Sequence, residues 1–183
     1  MYTKIYDEEY HRKFLLRAKT DLGKKIYAER WAMVVRYCHG ELTLLDYGCA
    51  SGAFHQSNTN GFKTFGYDVN PNCGHTVYPR QEIDILTMWD VIEHIPDPVS
   101  LIKKFNPLWL FLSTPNLESV KGPIVDWRHY RPLEHIHYFD RFSLEVILDH
   151  AGYKIEEINY KEGELRDPQN PTAVISIAAR RAS

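Results

Sequence analysis

Residues 44–52 read LLDYGCASG, an apolar run that ends on an acid and passes straight into small residues. Gly48 and Gly52 carry no Cβ, so the backbone between them can come close to a ligand. Ala50 and Ser51 keep the turn slim. A helix starting there presents free N–H groups and the positive end of its dipole, which suit an amino-acid carboxylate. Asp68 stands sixteen residues past Gly52, at the close of a second apolar stretch. Its carboxylate can accept two hydrogen bonds from the vicinal hydroxyls of a ribose. Together these residues indicate a nucleoside-bearing cofactor. A dinucleotide fingerprint needs G-x-G-x-x-G, whereas the spacing here is Asp46-x-Gly48-x-Ala50-x-Gly52. No P-loop lysine follows the turn, so nucleotide hydrolysis is not indicated.

Periodicity supplies the elements that must hold this turn. Residues 4–39 carry apolar positions at helical spacing, from Phe14, Leu15 and Ala18 through Leu22, Ile26 and Ala28 to Trp31, Val34 and Val35. Gly23 marks a break between two helices. Tyr2, Tyr6 and Tyr10 fall on one face at four-residue spacing. Strands are expected at 42–47, 61–68, 82–89 and 108–116, with a strand stub at 76–78. A short helix follows the turn at 53–60, and another covers 99–105. The stretch 117–140 reads as irregular. A helix over 142–153 has Ser143 as N-cap, Glu145 in its first turn and Gly152 as its stop. Strands at 153–160 and 172–181 close the chain as an antiparallel pair, joined by a loop of about ten residues. Alternation of helix and strand calls for a mostly parallel sheet with helices on both faces. The expected organisation is one domain, with a helical cap at 1–40 and a core at 41–183.

Of the 183 residues, 44% are hydrophobic and 25% charged, an ordinary globular balance. A net charge of −2 gives no general pull toward nucleic acid or an anionic membrane. Cys38, Cys49 and Cys73 are odd in number and form no C-x-x-C pair, which points to a reduced, cytoplasmic setting. The opening MYTKIYDEEYHRKF is too charged for a signal peptide, and no run approaches a membrane helix in length. Twelve tyrosines fit either a Tyr-rich core or a pocket for a flat substrate.

With Ala50 at the place of a middle glycine, the 44–52 bend resembles the first motif of class I methyltransferases. ILTMWDVIEHIPDP (85–98) resembles the fourth-strand segment of the broad family that includes ubiquinone-biosynthesis O-methyltransferases and sugar or natural-product methyltransferases. FLSTPN (111–116) is similar to that family's fifth-strand exit, and RPLEHIHYFDRFSLEVILDHAGY (131–153) to its later segment. The pieces stand in the family's order and cover roughly residues 40–180. The resemblance implies a seven-stranded, three-layer Rossmann-like α/β fold and S-adenosylmethionine as cofactor. Expected cofactor contacts are Asp46, Gly48, Cys49, Ala50, Ser51, Gly52, Asp68, Val69, Met88, Trp89 and Asp90. One departure stands out. Only fourteen residues, 69–82, separate Asp68 from Ile83, where the family has a full helix and a third strand. The third-strand region is shortened, and the family's acid near the adenine has no clear counterpart, Gln81 and Glu82 standing nearest.

Methyl transfer from a sulfonium is an in-line displacement, so the protein must align the nucleophile and often take its proton. His94 is the first candidate base, a loop-ordering role being its alternative. Glu93, His135 and His137 join it as catalytic candidates. Asp90, Glu93 and His94 resemble the Glu-x-x-Glu-His run of ubiquinone-type and small-RNA 3′-end methyltransferases, which implies a divalent metal. Asp90 is shorter than the family's Glu, and His135 and His137 are not both expected to bind, so a metal-free site is expected. Trp127, Arg128, His129 and Arg131 suit a substrate carboxylate, phosphate or sugar, or an exposed loop cluster. The favoured reading is methylation of an oxygen on a small molecule, a sugar or phenolic metabolite. RNA 3′-end methylation is weakened by the near-neutral charge. The rival from another class is a cofactor-binding but inactive partner protein.

Overall fold

Alternate residues of the central strands feed two separate cores, which is what a sheet covered on both faces requires. The computed structural model describes residues 8–75 and 82–182. Its strands are β1 (Thr43–Tyr47), β2 (Lys63–Tyr67), β3 (Ile85–Trp89), β4 (Trp109–Pro115), β5 (Tyr153–Asn159) and β6 (Val174–Arg181). They form one sheet in the order β2-β1-β3-β4-β6-β5. The first four run parallel, and β6 inserts antiparallel between β4 and β5. Leu45, Leu86, Met88, Leu110, Leu112 and Ile177 point into one core. Leu44, Ile85, Trp89, Phe111 and Ala178 point into the other.

The helices are α1 (Glu8–Ala18), α2 (Asp21–Tyr37), α3 (Ala53–Gln56), α4 (Pro98–Phe105), α5 (Arg141–Ala151) and α6 (Lys161–Arg166). Ile102 of α4 and Leu144 and Leu148 of α5 cover the first face. Trp31, Met33 and Val34 of α2 cover the second, beside Phe54 of α3. This is the expected three-layer α/β architecture. No helix among the described residues is long and apolar enough to cross a membrane.

Several local expectations are corrected. Six strands are present among the described residues, and the third-strand stub at 76–78 falls outside them. The helical break falls at Lys19 and Thr20 instead of Gly23, because the Thr20 hydroxyl caps α2 by accepting from Gly23 N–H at 3.0 Å. Gly23 sits in the first turn of α2, where a Cβ would run into the Arg17 carbonyl. The N-cap of α5 is Asp140, with Ser143 completing a reciprocal capping box as the third helical residue. The helix after the glycine bend is a single turn, so its dipole is short. The loop expected between the closing strands contains α6. Tyr2, Tyr6, the side chain of Tyr10, the strand stub at 76–78 and Gln81 lie outside the described residues.

Candidate active site

A cavity of about 530 Å³ opens where β1 has β2 on one side and β3 on the other. Such a switch point, beyond the strand C-termini, is where open α/β sheets take ligands. Asp46, Asp68, Trp89, Asp90 and Pro115 reach it from the ends of four strands.

One half of the cavity is a tied bend. Gly48 and Cys49 donate their N–H groups to the Tyr67 carbonyl at 2.7 and 3.1 Å. Ala50 N–H donates to Asp68 Oδ2, and Asn70 N–H to Asp68 Oδ1, both at 2.8 Å. The bend and the acid are therefore one hydrogen-bonded unit. Gly48 has φ 76° and Ala50 φ 47°. A Cβ on Gly48 would run into Val91, and a left-handed alanine is strained. At the root of the bend, burial raises the Asp46 carboxyl to about 7, against the opposing hydrogen bond from the Thr87 hydroxyl at 2.8 Å.

The other half stands on buried charge. Arg30 of α2 grips Glu162 of α6 with Nε at 2.8 Å and Nη2 at 3.0 Å. Arg166, one turn along α6, grips both oxygens of Asp90 at 3.0 and 2.6 Å and reaches Glu162 at 2.5 Å. Arg30 completes the ring by donating to Asp90 at 3.1 Å, with its guanidinium 4.9 Å from the Trp89 ring centroid. Burial alone would raise the Asp90 carboxyl; Arg166 and then Arg30 hold it well below the usual carboxylate range. Asp90 has φ 58°, a second strained non-glycine backbone at the cavity.

Beside this ring stand Glu93, His94 and His135. Ile136 and His137 N–H groups donate to the Glu93 carbonyl at 3.0 and 3.1 Å, which pins the later loop against the turn after β3. His94 Nδ1 lies 2.8 Å from the Glu134 carbonyl. A carbonyl only accepts, so Nδ1 carries the proton and the neutral ring keeps its lone pair on Nε2. His94 Nε2 is 3.8 Å from Glu93 Oε1. The two imidazoles meet edge to face at 4.8 Å between centroids. Burial holds His94 below its usual range, and burial with the nearby His94 takes His135 down to about 4. Glu93 is pushed up to about 8 by burial and then by Asp90. One ligand atom from each of Glu93, His94 and His135 lies within 4.8 Å of the others, a spacing that a metal ion can bridge.

Of the expected cofactor contacts, Asp46, Gly48, Cys49, Ala50, Asp68, Val69, Trp89 and Asp90 line the cavity. Met88 does not: it is fully buried in the sheet core. Ser51 and Gly52 lie outside the lining, shaping the bend from behind through Gly52 N–H to the Cys49 carbonyl at 2.8 Å. Of the catalytic candidates, Glu93, His94 and His135 line the cavity. His137 turns away, its Nε2 on the Ile95 carbonyl at 2.9 Å and its ring stacked on Phe139. Glu82 is exposed and outside the lining. Sequence reading missed Arg17, Arg30 and Arg166, which also line it. Arg30 left a signal, since it falls between Ile26 and Val34 on the buried stripe of α2. Arg166 left none, because its helix was read as loop.

The sequence pattern of the methyltransferase domain matches residues 5–158. No curated protein matches this sequence. A SAM-dependent methyltransferase from Archaeoglobus fulgidus shares 17% identity and superposes with TM-score 0.63 over 92% of this chain and 99% of its own. Magnesium protoporphyrin IX methyltransferase from Synechocystis PCC 6803, solved with bound SAH, shares 13% with TM-score 0.66 over 99% and 98%. Small RNA methyltransferase HEN1 shares 18% with TM-score 0.61 over 90% of this chain and 26% of its own. At these identities the likeness to solved structures is one of fold, while the domain pattern spans most of the sequence. This chain belongs to the methyltransferase-domain family and carries the class I methyltransferase fold.

Proposed function

We propose that the protein methylates an oxygen of a small molecule, with His94 as the base. The reading rests on one observation: the Glu134 carbonyl fixes the His94 tautomer and leaves Nε2 as the basic nitrogen at the cavity wall. Bound S-adenosylmethionine supplies an electrophilic methyl group on a sulfonium that departs as a neutral thioether. In this reading Asp68 accepts from the ribose hydroxyls, because each of its oxygens carries a second lone pair. Asp46, a buried carboxyl beside the cavity, faces the methionine ammonium, whose charge would favour its ionised form. Arg17, whose guanidinium pairs with no carboxylate among the described residues, takes the methionine carboxylate. His94 Nε2 receives the proton of the acceptor hydroxyl as its oxygen bonds to the methyl carbon.

The test is methyl transfer from labelled cofactor to a panel of sugars and phenols. His94→Ala is expected to keep cofactor affinity, measured by calorimetry, and to lower turnover about 10²–10⁴-fold. Normal turnover would remove His94 from the base role. Cofactor binding by the unaltered protein with no transfer across the panel would favour the inactive-partner reading.

The Glu93, His94 and His135 cluster favours a second reading, in which a divalent cation polarises the acceptor oxygen. The donor set fits: His94 turns its other nitrogen to a backbone carbonyl, as metal-bound imidazoles do, and buried His135 Nδ1 has no hydrogen-bond partner. Asp90 does not join, being held by two arginines. Glu93 must lose its proton to bind a cation, so Mn²⁺ affinity should climb as pH rises toward about 8. Calorimetry in two buffers of different ionisation enthalpy would read the released proton, and pH-independent binding would sink this variant.

A further inference from the structure

The loop after β4 brings two guanidiniums to the same cavity, on the side of His94 and away from the Asp68 bend. Arg128 pairs through Nη1 alone with Asp167 Oδ2 at 3.2 Å. Arg131 pairs through Nη1 alone with Glu134 Oε2 at 3.1 Å. Both line the cavity, and both side chains are about half exposed, at 52% and 50%. A guanidinium offers five N–H donors in a planar fork. A single monodentate contact leaves each fork with an edge that can grip a second oxyanion. Between them stands His129, also in the lining, whose buried Nε2 has no hydrogen-bond partner.

The surrounding charge points the same way. Burial, then the Arg128 charge, takes His129 down to about 4, so its ring adds no positive charge at neutral pH. The deeper ring is already balanced, Arg30 and Arg166 against Asp90 and Glu162. The cofactor of the reading above enters with one net positive charge, the sulfonium, since its ammonium and carboxylate cancel. Arg128 and Arg131 are balanced in the same way by Asp167 and Glu134, so the charge that draws an anionic acceptor is the sulfonium, and the half-used guanidinium forks supply the hydrogen bonds that would seat it.

We propose that the methyl acceptor carries an oxyanion group, a carboxylate or a phosphate monoester, that Arg128 and Arg131 seat with His129 while a separate hydroxyl faces His94. The oxyanion is the anchor and not the methylated oxygen. This deepens the methyltransferase reading and rests on it.

The experiment uses the full chain and three probes of matched shape: para-hydroxybenzoate, para-hydroxyphenyl phosphate and the neutral para-hydroxybenzamide. Each is titrated by calorimetry into the protein with and without S-adenosylhomocysteine. Binding of the nucleoside itself reports on the cofactor reading, so its failure is read separately. The expected result is that at least one anionic probe binds about tenfold or more tighter than the amide, as a charge-assisted contact allows. The stronger of the two anions distinguishes carboxylate from phosphate recognition. The paired Arg128→Gln and Arg131→Gln variant should erase that preference while nucleoside affinity and Tm stay unchanged. Asp167→Asn, which removes the present partner of Arg128, should move anion affinity upward. Equal affinity for the amide, no binding of either anion, or a preference that survives in the paired variant would each overturn the proposal.

Discussion

The two halves of the cavity are built by opposite strategies. The 48–52 bend is tied to Tyr67 and Asp68 by backbone N–H groups donating across adjacent strands, with the longest sequence separation among those bonds only nineteen residues. The opposite half draws Arg30, Asp90, Glu162 and Arg166 from three distant segments and satisfies them with side-chain ion pairs, of which all but Arg166–Glu162 span 60 to 132 residues. A backbone cradle costs little to bury, because each N–H already has its partner. Buried charges are held only while every member is present. The first half is thus a local device, and the second depends on the finished tertiary fold.

That contrast sets the largest expected effect. Arg166→Met strips Asp90 of its bidentate partner and leaves Asp90 and Glu162 to share Arg30. Urea unfolding should show a loss of about 3–5 kcal/mol, the range for breaking a buried pair by removing one member. A loss under about 1 kcal/mol would mean that the ring is solvated, like a surface pair. On the other side, Gly48→Ala places a Cβ against Val91 at a left-handed φ of 76°. The expected cost is about 1–3 kcal/mol of stability, with cofactor binding lost as the bend shifts. Adding Val91→Ala should recover the steric part and leave the backbone strain, about 1 kcal/mol.

The same contrast explains what could be read in advance. That Gly48, Ala50 and Asp68 come together at one cavity was legible, because it follows from residue type and short spacing. Alternation of apolar strands with helices gave the layers, since Leu44 and Leu45 or Ile85 and Leu86 must face opposite cores. The charge ring was not legible. Asp90 looked like a cofactor or metal residue because nothing in its neighbourhood names Arg166, seventy-six positions on. KEGELR forms a six-residue helix, too short for periodicity to declare. Met88 was placed at the cavity with its neighbours Trp89 and Asp90, but strand alternation turns it into the core. His135 and His137 were not separable by spacing, since residues two apart in extended chain share a face; a bend at Ile136 sends His135 inward and His137 to the Ile95 carbonyl.

A middle-sized effect tests whether the bend and Asp68 act as one unit. Asp68→Ala removes the acceptor for two backbone N–H groups as well as the proposed ribose contact. Cofactor affinity should fall about 10- to 100-fold, as for hydrogen bonds to a charged group. Asp68→Asn keeps an oxygen for one N–H and should lose less. Equal losses in the two variants would separate the ribose contact from the bend.

The smallest effect compares the halves through their protons. His55, behind the bend near Gly66, is held at about 4, mainly by burial and then by His75. His129 and His135, on the opposite side, are held at about 4 by burial first and by nearby Arg128 and His94 next. In each case the folded pKa lies below the unfolded value of 6.5. As pH falls below 6.5 the unfolded chain takes up protons that the folded chain refuses until about 4, so the contribution of these three histidines to stability drops through that window and is flat above it. One unit below the unfolded pKa each histidine costs about 1 kcal/mol or less, allowing for partial exposure. Asp46 and Glu93, raised by burial to about 7 and 8, pull the slope the other way and His94 adds to it, so the share of these three histidines is read as the difference in Tm slope between each variant and the unaltered protein. His55→Gln should remove the smaller share, and a paired His129→Gln and His135→Gln variant the larger. If His55→Gln flattens the slope as much as the pair does, the acid sensitivity belongs to the bend, and the histidines of the acceptor side are already solvated.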